Sequence, residues 1–136
     1  MVLNSLVSSP RVAVLEQAIA ASSLRQKTIS NNIANVNTPG YKKSEVLFEE
    51  MLQSAMNGDK LPMLQTNSRH LPLKQGMIPT PKLNVLSNSS IRTDGNNVDI
   101  DIEMASLAKN SIYYNAVVQQ ISNYFTGIKS AIKEGR

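Results

Sequence analysis

The sequence predicts a mainly α-helical protein: long N- and C-terminal helices pairing as a coiled-coil-like bundle, with a partly extended, β or mobile middle segment. Three observations carry this expectation. Both ends of the 136-residue chain place apolar residues in alternating steps of four and three, the spacing that lines one side of a helix. Between them Pro62, Pro72, Pro79 and Pro81 stand among scattered Ser, Asn and Thr, which breaks any long helix. Large side chains are few, with four tyrosines, two phenylalanines and no tryptophan. Such a supply suits helix–helix seams better than a thick globular core. The length fits one domain, divided here into residues 1–40, 41–97 and 98–136.

The first helix follows the stripe Leu15, Ile19, Ser22, Gln26, Ile29, Ile33 and Val36. Its middle is thin or polar, and a polar position in such a seam lowers stability while fixing register. Pro10 suits a first helical turn, with Ser8 or Ser9 as the cap. The end is expected near Val36–Asn37. Thr38 precedes Pro39, which disfavours helical backbone, and Gly40 can take positive φ. Asn35 and Asn37 also tolerate left-handed geometry.

In the middle, a short helix is expected over Ser44–Met56, stopped by Asn57-Gly58, with extended pieces at Lys82–Leu86 and Ser90–Thr93. A structureless loop of this length is uncommon within a compact domain, so the segment reads as an insert carried between two helices. Asp94-Gly95-Asn96-Asn97 is turn chemistry. After it Ile100, Met104, Leu107, Ser111, Tyr114, Val118, Ile121, Phe125, Ile128 and Ile132 continue the four–three alternation almost to the last residue. That helix would be roughly 50 Å long. Asp99, Asp101 and Glu103 at its start and Lys129, Lys133 and Arg136 at its end complement the helix dipole. Tyr114 and Phe125 lie on the stripe, whereas Tyr113 and Tyr124 sit beside it and are expected to widen the contact face toward a second partner.

Several function classes are disfavoured. The net charge of +4 is spread out, with Lys42–Lys43 the only adjacent basic pair, so no basic stripe would track a nucleic acid. There is no cysteine, hence no disulfide and no thiolate metal site or nucleophile. His70, the single histidine, has no companions at metal spacing. Asp99, Asp101 and Glu103 lack the calcium-loop pattern, and neither a nucleophile elbow nor a phosphate loop occurs. No catalytic, metal or cofactor site is expected. No apolar run approaches the ~20 residues that span a bilayer. The N-terminal segment lacks an early basic residue and is interrupted by Arg11 and Glu16, so a cleaved signal peptide is not expected.

One stretch resists this accounting. The run "NNIANVNTPGY" at residues 31–41 puts asparagines, poor interior helix formers, at the end of the first helix. Their amides have a purpose if they bond to a neighbouring chain or to the returning segment. In sequence, Ser30, Asn32, Ile33, Ala34, Asn35, Thr38, Pro39, Gly40 and Tyr41 closely resemble the N-terminal signature of the axial proteins of the bacterial flagellum, the rod and hook class. "TDGNNVDIDIEMASLAKNSIYYNAVVQQIS" resembles the C-terminal part of a proximal rod member. "TNSRHL" at Thr66–Leu71 resembles its mid-region, and residues 76–90 match nothing.

The resemblance implies a structural subunit of the proximal rod of the basal body, located in the periplasm and exported without a cleaved signal. It implies as partners further copies of the chain, other rod proteins, membrane-ring or rod adaptor proteins at the base and the flagellar type III export apparatus. A sister proximal rod protein is the alternative within the class, and a soluble coiled-coil adaptor the alternative outside it. Leu15, Ile19, Ile29, Ile33, Val36, Met104, Leu107, Tyr114, Val118, Ile121, Phe125, Ile128 and Ile132 are the expected helix-packing residues. Phe48 and Leu52 resemble the short apolar element of rod and hook export substrates, although packing against the core of the short helix is the favoured explanation of both.

Overall fold

The computed structural model describes residues 9–56, 78–87 and 93–134. Five elements follow in order: α1 (Pro10–Ala34), β1 (Ser44–Leu47), α2 (Glu49–Met56), β2 (Lys82–Val85) and α3 (Ile100–Glu134). The helices α1 and α3 pack along one another, and the ribbon of β1 and β2 lies against α1.

α1 begins as its sequence demands. Ser9 is the cap, its Oγ accepting from the Val12 amide, and Pro10 occupies the first turn, where no intrahelical amide bond is needed. The helix ends at Ala34 with Asn35 as cap, two to three residues before the expected end. The Asn35 amide donates to the carbonyls of Asn31 and Asn32, and its own Nδ2 donates to the Asn31 oxygen at 2.8 Å. These contacts satisfy the last carbonyls and divert the chain into turns through Tyr41. Gly40 has φ 71 and Gly95 φ 82, and no other residue type takes positive φ among the described residues. The expected left-handed tolerance of Asn35 and Asn37 is therefore unused.

The segment 44–56 departs from expectation. Ser44–Leu47 is a strand, and only Glu49–Met56 is helical. β1 pairs antiparallel with β2 in the register Ser44↔Val85, Glu45↔Asn84, Val46↔Leu83 and Leu47↔Lys82. Asn84 Nδ2 reaches the Glu45 carboxylate at 3.2 Å across that pair. The local pattern of "SEVLFEEM" is compatible with a helix; a partner strand distant in sequence overrides it, since strand pairing is a tertiary property. The expected extended piece near Lys82 is β2. Residues 57–58, 66–71, His70 and 90–92 lie outside the described residues.

The core is small. Ala18, Ala21, Phe48 and Val117 form it, with Leu15, Ile19, Leu52 and Tyr113 packed around it. Phe48 is fully buried at its centre, and the Arg25 guanidinium closes one side by a bidentate ion pair to Glu49. Small residues on α1 let the Phe48 ring reach the seam.

α3 turns a different row inward from the one its hydropathy pattern suggests. Glu103, Asn110 and Val117 are buried, and Tyr113, Tyr124 and Ile128 half-buried. Of the expected stripe, Leu107, Ile121 and Ile128 are half-buried, whereas Met104, Tyr114, Val118, Phe125 and Ile132 are exposed. Met104 and Ile132 reach 52% and 53% exposure. The Phe48 ring, held by β1 on one flank of the seam, draws Tyr113 and Val117 toward itself. This rotates α3 by about one residue from a seam centred on the apolar stripe. Tyr113 and Tyr124, expected to face outward, point inward: Tyr113 packs on the core, and the Tyr124 hydroxyl lies 3.1 Å from Ser9 Oγ.

Candidate functional site: the elbow between α1 and α3

Where α1 ends, the turn that precedes α3 returns beside it, and the asparagines of both segments join them. Asn32 is 1% exposed and uses every polar valence. Its Nδ2 donates to the Ser44 carbonyl at 2.8 Å and to Glu103 Oε2 at 3.0 Å. Its Oδ1 accepts from the Ser44 amide at 3.0 Å and the Tyr41 hydroxyl at 3.2 Å. One side chain thus ties α1 to β1, to the motif tyrosine and to the first turn of α3.

Glu103 was legible only as a helix-start charge. It is in fact buried, its second oxygen 3.0 Å from Lys43 Nζ. A carboxylate withdrawn from water requires both a counter-charge and hydrogen bonds, and Lys43 and Asn32 supply them. Asp99 fills the capping role at the helix start, its Oδ1 accepting from the amides of Asp101 and Ile102 at 3.0 and 3.3 Å.

Asn96 is the counterpart of Asn32 on the returning segment. Its Nδ2 lies within 3.1 Å of three carbonyls, those of Asn35, Val36 and Thr38, so the irregular end of α1 is gathered on one amide. Its Oδ1 accepts from the Val98 amide at 2.7 Å. Asn97 accepts from the Lys43 amide at 2.6 Å and donates to the Leu86 carbonyl at 2.8 Å, joining the turn to the ribbon. The Gly40 amide donates to the Asp94 carbonyl at 2.9 Å, and Lys42 Nζ donates to the Gly95 carbonyl at 2.8 Å. A Cβ on Gly95 would stand 3.7 Å from the Gly40 Cα. Both glycines are required by their positive φ; the space around Gly40 is open.

Of the motif residues, Asn32, Asn35, Thr38, Gly40 and Tyr41 all take part in this network through side chain or backbone. Ile33 is half-buried, and Ala34 and Pro39 are exposed. Away from the elbow, burial raises the Glu49 carboxyl, and the Arg25 fork more than offsets this to hold it below the usual carboxylate range. Burial raises the Tyr113 phenol, with Glu49 adding to it and Arg25 opposing. No cluster of potential metal ligands occurs among the described residues. No described helix is long and apolar enough to cross a membrane.

Comparison with known proteins meets this geometry at the elbow. A family model described as flagella basal body rod protein matches residues 13–42, which take in the whole Asn32–Tyr41 motif. The flagellar basal body rod protein FlgB of Bacillus subtilis is 34% identical over 122 residues, covering 90% of this chain and 92% of the relative. The chain belongs to the flagellar basal body rod protein family. FlgB of Borreliella burgdorferi is 37% identical over 119 residues, covering 82% of this chain and 87% of the relative. FlgB of Escherichia coli is 27% identical over 125 residues, covering 88% and 91%. These alignments cover most of the chain.

Proposed function

We infer that the chain is a structural subunit of the proximal rod of the flagellar basal body, polymerising through its terminal helices to carry torque from the motor ring toward hook and filament. The single observation that carries this is the elbow. The family motif is built into a closed polar network that fixes α1, β1 and α3 relative to one another, while Met104, Tyr114, Val118, Phe125 and Ile132 of the apolar stripe of α3 remain exposed. A shaft requires that combination, rigid joints within the subunit and open apolar faces between subunits. Its partners are further copies, other rod proteins and the adaptor proteins at the base; Met104, Tyr114, Val118, Phe125 and Ile132 are the residues on α3 for such contacts. Leu15, Ile19, Ile29 and Ile33 on α1 and Val36 just beyond it, with Leu107, Ile121 and Ile128, complete the seam. The ribbon and the segment after Tyr41 form an arm toward adjacent subunits, its angle set by Gly40.

The export apparatus acts on an unfolded chain, in which Phe48 and Leu52 are accessible. The same two residues then serve in the core after folding, so the export and packing roles are successive rather than exclusive. The test of the reading is complementation. A flagellated relative deleted for its own proximal rod protein should swim when given this chain or a chimera of its helices, with the chain recovered in isolated basal bodies. Its absence from basal bodies despite normal synthesis and export would refute the reading. For the export element, secretion of a Phe48→Ala chain at the normal rate would count against that role.

A further inference from the structure

Two heptad rows stand side by side along α3, one residue apart. Glu103, Asn110, Val117 and Tyr124 form the row that faces α1, and Met104, Ser111, Val118 and Phe125 form the next. The first row is mostly polar, and its Glu103, Asn110 and Val117 are buried. The second is mostly apolar, yet Met104, Val118 and Phe125 are 52%, 38% and 42% exposed. Rolling α3 about its own axis by one residue, about 100°, would exchange the two rows. Apolar burial by itself favours that exchange. Each member of the polar row is held by a contact from outside α3. The elbow takes Glu103 through Asn32 and Lys43. Val117 packs with Phe48 in the core, and the Tyr124 hydroxyl lies 3.1 Å from Ser9 Oγ. Between elbow and core the only member is Asn110, whose Nδ2 donates to the Ser22 carbonyl at 2.9 Å and to Gln26 Oε1 at 3.1 Å.

The Asn110 contact does not serve stability. The side chain is buried, and its Oδ1 has no hydrogen-bond partner among the described residues. Turning the amide over would set its oxygen against the Ser22 carbonyl, so the orphan is the oxygen. A buried acceptor without a donor costs free energy, and asparagine is a poor interior helix former. Nothing on α1 needs the bond. The Ser22 carbonyl lies inside a helix whose ladder already supplies a donor, and Gln26 is exposed to water. In helix seams a lone buried asparagine that lowers stability has one well-attested use, the exclusion of alternative packings. We propose that Asn110 is a positioning residue that fixes the rotation of α3 about its axis. Its amide, tied to a main-chain atom of α1, keeps the polar row inward and the apolar stripe outward in the single chain. Phe48 favours the same rotation but acts only at the level of Val117; Asn110 holds α3 one heptad nearer the elbow. The inference concerns orientation within one chain, so it goes beyond the rod reading and does not require it.

The chain has no cysteine, so single introduced thiols report the rotation. Val118→Cys lies on the stripe, and Ala116→Cys lies at an exposed position that stays outward in either rotation. Each is placed in the full chain with and without Asn110→Ala, and maleimide labelling of the dilute protein and its urea midpoint are measured. With Asn110→Ala, Val118→Cys should react about fivefold more slowly, as a face that is outward only part of the time. Labelling of Ala116→Cys should be unchanged and the midpoint no lower. Unchanged labelling of Val118→Cys, at any midpoint, would overturn the proposal; a fall in the midpoint would then mark an ordinary packing role. Equal slowing of both thiols would also overturn it, since association protects both and a roll protects one. Should Asn110→Ala fail to fold, Asn110→Ser takes its place, and unfolding of both would assign Asn110 to folding and not to rotation. A second measurement is independent of thiols. Ser111→Leu completes the apolar row; alone it should leave the midpoint unchanged, and in the Asn110→Ala background it should raise it, because the row is then turned inward. Additive effects of the two substitutions would count against the proposal.

Discussion

The elbow and the outer half of α3 are opposite solutions to the same problem of what to do with a helix surface. At the elbow nearly every buried side chain is polar, Asn32, Asn96, Asn97 and Glu103, and every one has partners within the chain. Along the outer half of α3, apolar Val118, Phe125 and Ile132 face outward without cover. A satisfied polar network is stringent in geometry, because a displaced member strands its neighbours in a low-dielectric setting. An apolar stripe is permissive and adhesive. The difference teaches a division of labour: direction is set by the asparagines, and attachment is left to the stripe.

The comparison can be broken most forcefully at Asn32. Asn32→Ala removes four hydrogen bonds and leaves Glu103 and the Ser44 backbone short of partners. A loss of about 2–4 kcal/mol in urea denaturation is expected, and a loss within the noise would show that the network is ornamental to stability. Gly40→Val places a β-branched residue at φ 71 and should cost roughly 1–3 kcal/mol. Because the space there is open, this is backbone strain and not a clash, so Gly40→Asn should recover much of it. Swimming should fail in the valine variant, and normal motility would show that the elbow angle is unimportant.

A smaller effect sharpens the contrast from the other side. Phe125→Ser and Ile132→Ser should alter the stability of the dilute chain by only about 0.5 kcal/mol, as for exposed positions generally, yet reduce recovery in basal bodies. Destabilisation equal to that of Asn32→Ala would mean that the stripe is already covered within the chain. The smallest expected effect is electrostatic. The Glu49 carboxyl is held below its ordinary value of 4.5 because the Arg25 fork outweighs burial. Its contribution is therefore present above the ordinary value and lost as pH falls through the lowered one. With Glu49 about half exposed, roughly 0.5 kcal/mol is expected. A thermal melt series from pH 6 to about 3 should show a shallower acid slope for Glu49→Gln than for the unsubstituted chain.

Much of the local structure was legible because its causes are local. Ser9-Pro10 starts a helix through a cap and a preset φ, Thr38-Pro39-Gly40 forbids its continuation, and Asp94-Gly95 turns the chain. The heptad steps gave α3 nearly to its last residue. The motif at residues 31–41 could be recognised as needing partners because asparagine is ill suited to a helix interior. Its partners could not be named, since Asn32 and Glu103 are 71 residues apart in sequence. The lead was there in hindsight: Glu103 and the Asn96-Asn97 pair flank the second helix start as Asn32 and Asn35 flank the first helix end.

By itself, then, the sequence determined two long helices, the turns that bound them and a family signature, all of which depend on neighbours within a few positions. Tertiary structure alone decided that residues 44–47 are strand, because only Lys82–Val85 completes their backbone hydrogen bonds. It also decided which face of α3 turns inward. Periodicity measures where apolar residues lie, not which of them meet a partner. Once the Phe48 ring occupies the seam, the deepest positions on α3 go to Glu103, Asn110 and Val117, and the apolar stripe is left outside for another molecule to cover.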